Sequence, residues 1–204
     1  MHIHHAHNRS HRSLLKKAGG LIAALGVASL ISVHAVSAEA LKETTPNRIS
    51  SELVMKISVK LGPLEDMGKG TDGHRINYPI VGGSFVGQDG MKGIVVPGGA
   101  DLAVDRNDGV TMIDALYRLK TDDGQIIIIH NAGIWRLNEE GLAKQAKGVA
   151  LEDMEQSDSY CRTVPSFKTQ PGKYAWLSDY IYVGSIDYIS NSDVLIGVYR
   201  VNGI

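Results

Sequence analysis

The residues of this chain that could move a proton fall within strand-like runs. Asp114 stands in VTMIDALYRLK (residues 110–120), where it interrupts a face otherwise holding Met112 and Leu116. A carboxylate there needs a partner or a raised pKa, and either suits proton transfer; a structural ion pair accounts for it equally. Arg162, in SDSYCRTVPSF (157–167), is the natural partner. Its planar fork can clamp a substrate carboxylate or simply neutralise Asp114. Tyr117 offers a phenolic hydroxyl and His130 an imidazole that titrates near neutrality. These four are the candidate catalytic residues. Asp101, Tyr160, Trp176 and Asn131 are the candidate substrate contacts, beside plainer readings as a turn aspartate, a packed tyrosine and a corner aromatic.

Other chemistry has little support. Six of the eight histidines (His2, His4, His5, His7, His11 and His34) lie before residue 39, and His74 and His130 are far apart, so no metal site is expected. Cys161 is the single cysteine, which excludes an intramolecular disulfide and reads as a core residue. No glycine-rich nucleotide motif precedes a helix, and no cofactor is expected.

The first 38 residues read as a cleaved secretory signal. Arg9, Arg12, Lys16 and Lys17 precede the apolar run LIAALGVASLISV, and Ala35-Val36-Ser37-Ala38 supplies small residues for cleavage. The expected location is periplasmic or secreted, with no stable membrane insertion after cleavage. Removing the signal leaves 17 basic against 22 acidic residues, a balance opposite to that of a nucleic-acid binder. Residues 39–52 read as a lead-in and 53–204 as one domain.

The elements that must position these groups are strands. LVMKISVKL (53–61) alternates apolar and polar residues, 62–73 reads as a loop, and HRINYPIV (74–81) as a strand carrying Pro79. Residues 82–101 are broken repeatedly by glycine and end in a Pro-Gly-Gly-Ala-Asp corner. Residues 110–120 and QIIIIHN (125–131) flank Thr121-Asp122-Asp123-Gly124, a hairpin turn. One short helix is predicted after Asn138, with Glu139 and Glu140 in its first turn, Lys144 and Lys147 near its end, and Gly148 stopping it. Further strands follow at 157–167, 180–186 and 193–201. The pattern predicts an all-β protein, a closed antiparallel β-barrel of about eight or more strands with one short helix.

GGSFVG, GIVVPGGAD, Asp108-Gly109, TDDG, CRTVPSF and YAWL occur here in the order seen in the DUF3237 (UPF0311) family, which the chain resembles from about Leu53 onward. The resemblance implies a barrel with a central cavity, self-association into a homo-oligomer, and a link to aromatic metabolism that includes cofactor-free decarboxylation of phenylpropanoid-type acids. The chain departs from the pattern at Leu102, near a common tryptophan, and at Leu116, where arginine is common. The resulting expectation is an exported lyase acting on a small phenolic acid inside the barrel. The alternatives are a small-molecule-binding barrel without catalysis, or an exported structural protein.

Overall fold

The computed structural model describes residues 48–203, so the expected signal segment lies outside the described residues. Nine strands are described: β1 (Ile49–Leu61), β2 (Glu65–Lys69), β3 (His74–Gly87), β4 (Lys92–Asp105), β5 (Val110–Thr121), β6 (Ile126–Leu137), β7 (Ser159–Lys168), β8 (Tyr182–Ser190) and β9 (Asp193–Gly203). They pair antiparallel in the order β1-β9-β8-β7-β6-β5-β4-β3-β2, and β1 also pairs with β3. Eight strands therefore close into a barrel, and β2 is an extra strand added beside the first half of β3. The predicted fold class is the observed one. Among the described residues no helix is long and apolar enough to cross a membrane.

The glycine-rich stretch makes closure possible. The ladder between β3 and β4 shifts between Ile80 and Ser84, while Gly83 pairs with Val59 across the closing seam. A Cβ on Gly83 would lie 2.0 Å from the Ser58 carbonyl oxygen, and its φ of +135° disfavours any side chain. Residues 82–101 form the second half of β3, a tight 3-10 turn (Gln88–Gly90) and most of β4. The expected loop at 62–73 contains β2.

The side chains that point inward divide the barrel interior lengthwise. At one end Met91, Leu119, Ile127, Tyr182 and Val198 are fully buried, and Leu177 from the turn Ala175–Ser178 plugs the opening. Phe167 and Tyr182 meet edge to face, 5.1 Å between ring centres. Toward the other end the interior is hollow.

The helix α1 (Glu139–Ala146) forms where its cap was expected: the Asn138 side chain accepts the Gly141 amide at 2.9 Å. It belongs to a roof over the hollow end. Both carboxylate oxygens of buried Asp158 accept from Lys144 Nζ at 2.7 Å, and the Gln156 side chain donates to the Ile186 carbonyl, which ties the roof to β8.

Two glycine substitutions separate close approach from backbone preference. Gly82→Ala, at φ +153° where an added Cβ would meet no other residue within 4 Å beyond its chain neighbours, is expected to cost about 1–3 kcal/mol. Gly83→Ala adds a steric overlap with Ser58 and is expected to cost clearly more, or to prevent folding. Urea unfolding of both variants checks this, and equal losses would show that the contact at Ser58 does not seal the barrel.

Candidate functional site

The hollow end is a cavity of about 1490 Å³. Much of its polar lining comes from four adjacent strands. On β3, β4, β5 and β6 the residues Tyr78, Asp101, Ala115 and Asn131 pair in a row around the barrel, all on the inward face. Tyr117 lies two residues from Ala115 on the same face of β5, and Tyr188 projects inward from β8. Trp135, Ile113, Ile186 and Ile196 supply apolar wall.

Asp101 is the electrostatic centre of this lining. Burial above all, with the neighbouring Asp114 charge adding to it, raises its carboxyl to about 6; the Asp114 amide, donating to Asp101 Oδ1 at 2.8 Å, opposes the shift. That places Asp101 where it can both take and return a proton at neutral pH. The tyrosines behave differently. Burial, assisted by the Asp101 charge, pushes the Tyr117 hydroxyl far up, and burial of the hydroxyl also raises Tyr188, although that residue as a whole is half exposed. Tyr78 is also raised, by burial and then by Asp105 and Asp101. All three stay protonated and are available as hydrogen-bond donors. The Cys161 thiol is pushed up to about 11, chiefly by burial, which makes it a poor nucleophile and fits the core reading.

Asp114 does not face the cavity. The inward face of β5 is Thr111, Ile113, Ala115, Tyr117 and Leu119, which puts Asp114 outside with its side chain 59% exposed, bonded to His130 Nε2 at 2.6 Å. His130 is likewise outward and half exposed. The expected pairing of Asp114 with Arg162 is not formed: Arg162 lies on the outer face of β7, donates to the Cys161 carbonyl at 2.6 Å and covers the Tyr160 ring at 5.6 Å. Tyr160 is outward for the same reason, being adjacent in sequence to inward Cys161. Trp176 sits in the plug at the opposite end of the barrel, with the Arg200 guanidinium 5.9 Å from its ring. Of the eight candidates, Asp101, Tyr117 and Asn131 line the cavity. Tyr78 and Tyr188 are lining residues that the sequence reading passed over; the alternation His74, Ile76, Tyr78, Ile80 was the available signal for the first.

The mouth carries mixed charge, with Arg106, Arg136, Glu152 and Glu155 around it. Arg106 is held by Asp108 and Arg136 lies over the outer ring of Tyr160 at 5.9 Å. Among the described residues no group of three or more His, Cys, Asp or Glu side chains is placed to hold a metal ion.

The Asp101 shift fixes the sign of a stability effect. An unfolded aspartate titrates near 3.9, so the folded state binds the extra proton between about pH 4 and 6, and this contribution to stability falls as pH rises through that window. Asp101→Asn keeps an oxygen for the Asp114 amide. It is expected to raise stability at pH 8 by about 1–3 kcal/mol and to give no gain at pH 4. Denaturant unfolding of both proteins at the two pH values checks this.

Known proteins share both sequence and fold. A UPF0311 protein of Rhodopseudomonas palustris is 34% identical over 137 residues, 67% of this chain and 87% of that protein. Its crystal structure, described as a conserved protein of unknown function, superposes with a TM-score of 0.67 over 76% of this chain and 99% of that one, at 31% identity. A β-barrel-like protein of Acinetobacter baumannii gives a TM-score of 0.69 at 31% identity, covering 78% of this chain and 100% of that one. The structure of an enzyme from Penicillium herquei, at 19% identity and a TM-score of 0.56 over 79% of this chain and 98% of that one, shares the fold alone. The family model described as "Protein of unknown function (DUF3237)" matches residues 49–201, and the chain belongs to that family.

Proposed function

We propose that the hollow end of the barrel is the active site of an exported, cofactor-independent lyase that decarboxylates a small phenolic aromatic acid. The observation that carries this reading is Asp101, a carboxyl raised to about 6 in a cavity where the tyrosines and Asn131 beside it stay neutral and Asp105 is the other carboxyl that β4 contributes. Asp101 repels an anion and accepts a proton, so the phenol end of the substrate enters first. The carboxylate then lies toward the mouth, where Arg106 and Arg136 stand among Glu152 and Glu155.

In this orientation Asp101 takes the ring hydroxyl's proton and the phenolate pushes an electron pair into the conjugated system. The carbon bearing the carboxylate takes up one proton from solvent, giving a quinone-type intermediate. The bond to the carboxylate breaks, its electron pair restores the conjugated phenolate, and carbon dioxide leaves. Asp101 returns its proton to the phenolate. The net change is uptake of one proton and release of carbon dioxide, with the ring as electron reservoir.

A second reading, a binding barrel without turnover, is favoured by one observation. The cavity exceeds the ~300–1,000 Å³ of ordinary small-molecule sites and is roomy for a single-ring acid. Purified protein incubated with a panel of hydroxybenzoic and hydroxycinnamic acids, followed by absorbance and mass, distinguishes the two. The enzyme reading expects turnover that rises with pH around a midpoint of about 6 and falls at least about 100-fold in Asp101→Asn. Saturable binding with no turnover across the panel would leave the container.

A further inference from the structure

At the floor of the cavity, where hollow interior gives way to packed core, polar atoms lack partners. Asn131 is 1% exposed, and neither its Nδ2 nor its Oδ1 has a hydrogen-bond partner. The Tyr117 hydroxyl, on a residue 2% exposed, is also unpartnered. Buried amides and hydroxyls without partners are costly, and folded proteins rarely keep them. The neighbouring Ile127 and Ile129 on β6 show that apolar side chains fit this wall, so the sheet itself does not require an amide here.

The three groups surround a notch. Asp101 pairs with Ala115 and Ala115 with Asn131, so the two polar residues stand two strand spacings apart, about 10 Å between backbones. Only the Ala115 methyl lies between them, and Tyr117 sits two residues along β5. Asn131 Oδ1 needs a donor, its Nδ2 needs an acceptor, and the tyrosine hydroxyl can serve as either. A ring with one hydroxyl cannot satisfy Asp101, both amide atoms and the phenol together. A ring with oxygens on two adjacent carbons satisfies more of them: one hydroxyl donates toward Asp101 or the amide oxygen, and the second oxygen accepts from Asn131 Nδ2 or Tyr117. The apolar wall of Ile113, Trp135 and Ile186 suits the flat ring behind them.

We propose that this floor is a recognition subsite for an aromatic ring bearing two oxygens on adjacent carbons, at least one a free hydroxyl, read by Asn131 and Tyr117 beside Asp101. The inference rests on the cavity being a ligand site, as in the proposed function, and is independent of turnover.

Isothermal titration of the protein at pH 7 under argon with catechol, phenol and 1,2-dimethoxybenzene tests it. Catechol is expected to bind at least about tenfold tighter than phenol, because a site built for a hydroxyl discriminates against the ligand lacking it. Dimethoxybenzene, with no donor, is expected to bind no better than phenol. Asn131→Leu is expected to erase the catechol preference while thermal stability stays equal or rises, since an unpaired buried amide has been removed. Ala115→Val, which narrows the notch without touching a polar atom, is expected to weaken catechol more than phenol. Equal affinities for catechol and phenol in the parent protein would overturn the proposal. So would an Asn131→Leu variant that loses stability, because the amide would then be serving the fold. A preference for catechol without turnover of any acid leaves the subsite and removes the enzyme; turnover without the preference does the reverse.

Discussion

β3 holds the barrel together by changing partners midway. Its first half lies between β2 and β4, and its second half between β1 and β4, so one strand contributes both to an added edge and to the closing seam. Two consecutive glycines at 82 and 83, both in the left-handed half of backbone space, make that change at the point where Gly83 passes against Ser58. Once closed, the sheet has an inside, and every eight-stranded position is committed to core or solvent by period-two alternation.

That commitment creates the site. The plugged end holds large side chains in close contact, while the other end is lined with smaller or polar ones such as Ala103, Ala115, Asp101 and Asn131. Asp101 sits at the boundary with a single hydrogen bond from the Asp114 amide, too little to offset burial, and the surplus is expressed as a carboxyl brought to about 6. The roof keeps the opposite character. Asp158 is more deeply buried, yet Lys144 and the Glu155 amide hold its carboxyl below the usual range. One acid is paired with a cation; the other has none.

Much of the fold was legible in the sequence. The Asp-Gly turn at 121–124, the four isoleucines after it and the Asn138 cap each carry a local rule strong enough to survive into the structure. β2 was not legible, because five residues holding Glu65, Asp66, Gly68 and Lys69 offer no apolar face to bury. The site was half legible. On β5 both faces carry apolar residues, and Met112 and Leu116 drew attention to the wrong one; Asp114, Arg118 and Lys120 together mark that face as solvent-facing, whereas 111, 113, 115, 117 and 119 hold no charge. On β7 the sequence reading put Tyr160 and Arg162 in the pocket beside a core Cys161, which period-two alternation does not allow; Cys161 and Thr163 are the inward residues. His130 and Asn131 are adjacent, so only one could enter the barrel, and the amide is the one that did.

Acid–base chemistry in this cavity requires Asp101 to exchange its proton near neutral pH. The most direct measurement is a carbon-13 NMR titration of the aspartate side-chain carboxyl signals, with the Asp101 resonance assigned by its disappearance in Asp101→Asn. The account expects that signal to titrate with a midpoint of about 6. A midpoint at the ordinary aspartate value, near 3.9, would mean that the cavity solvates Asp101 as water does, and would contradict the assignment of acid–base chemistry to this site.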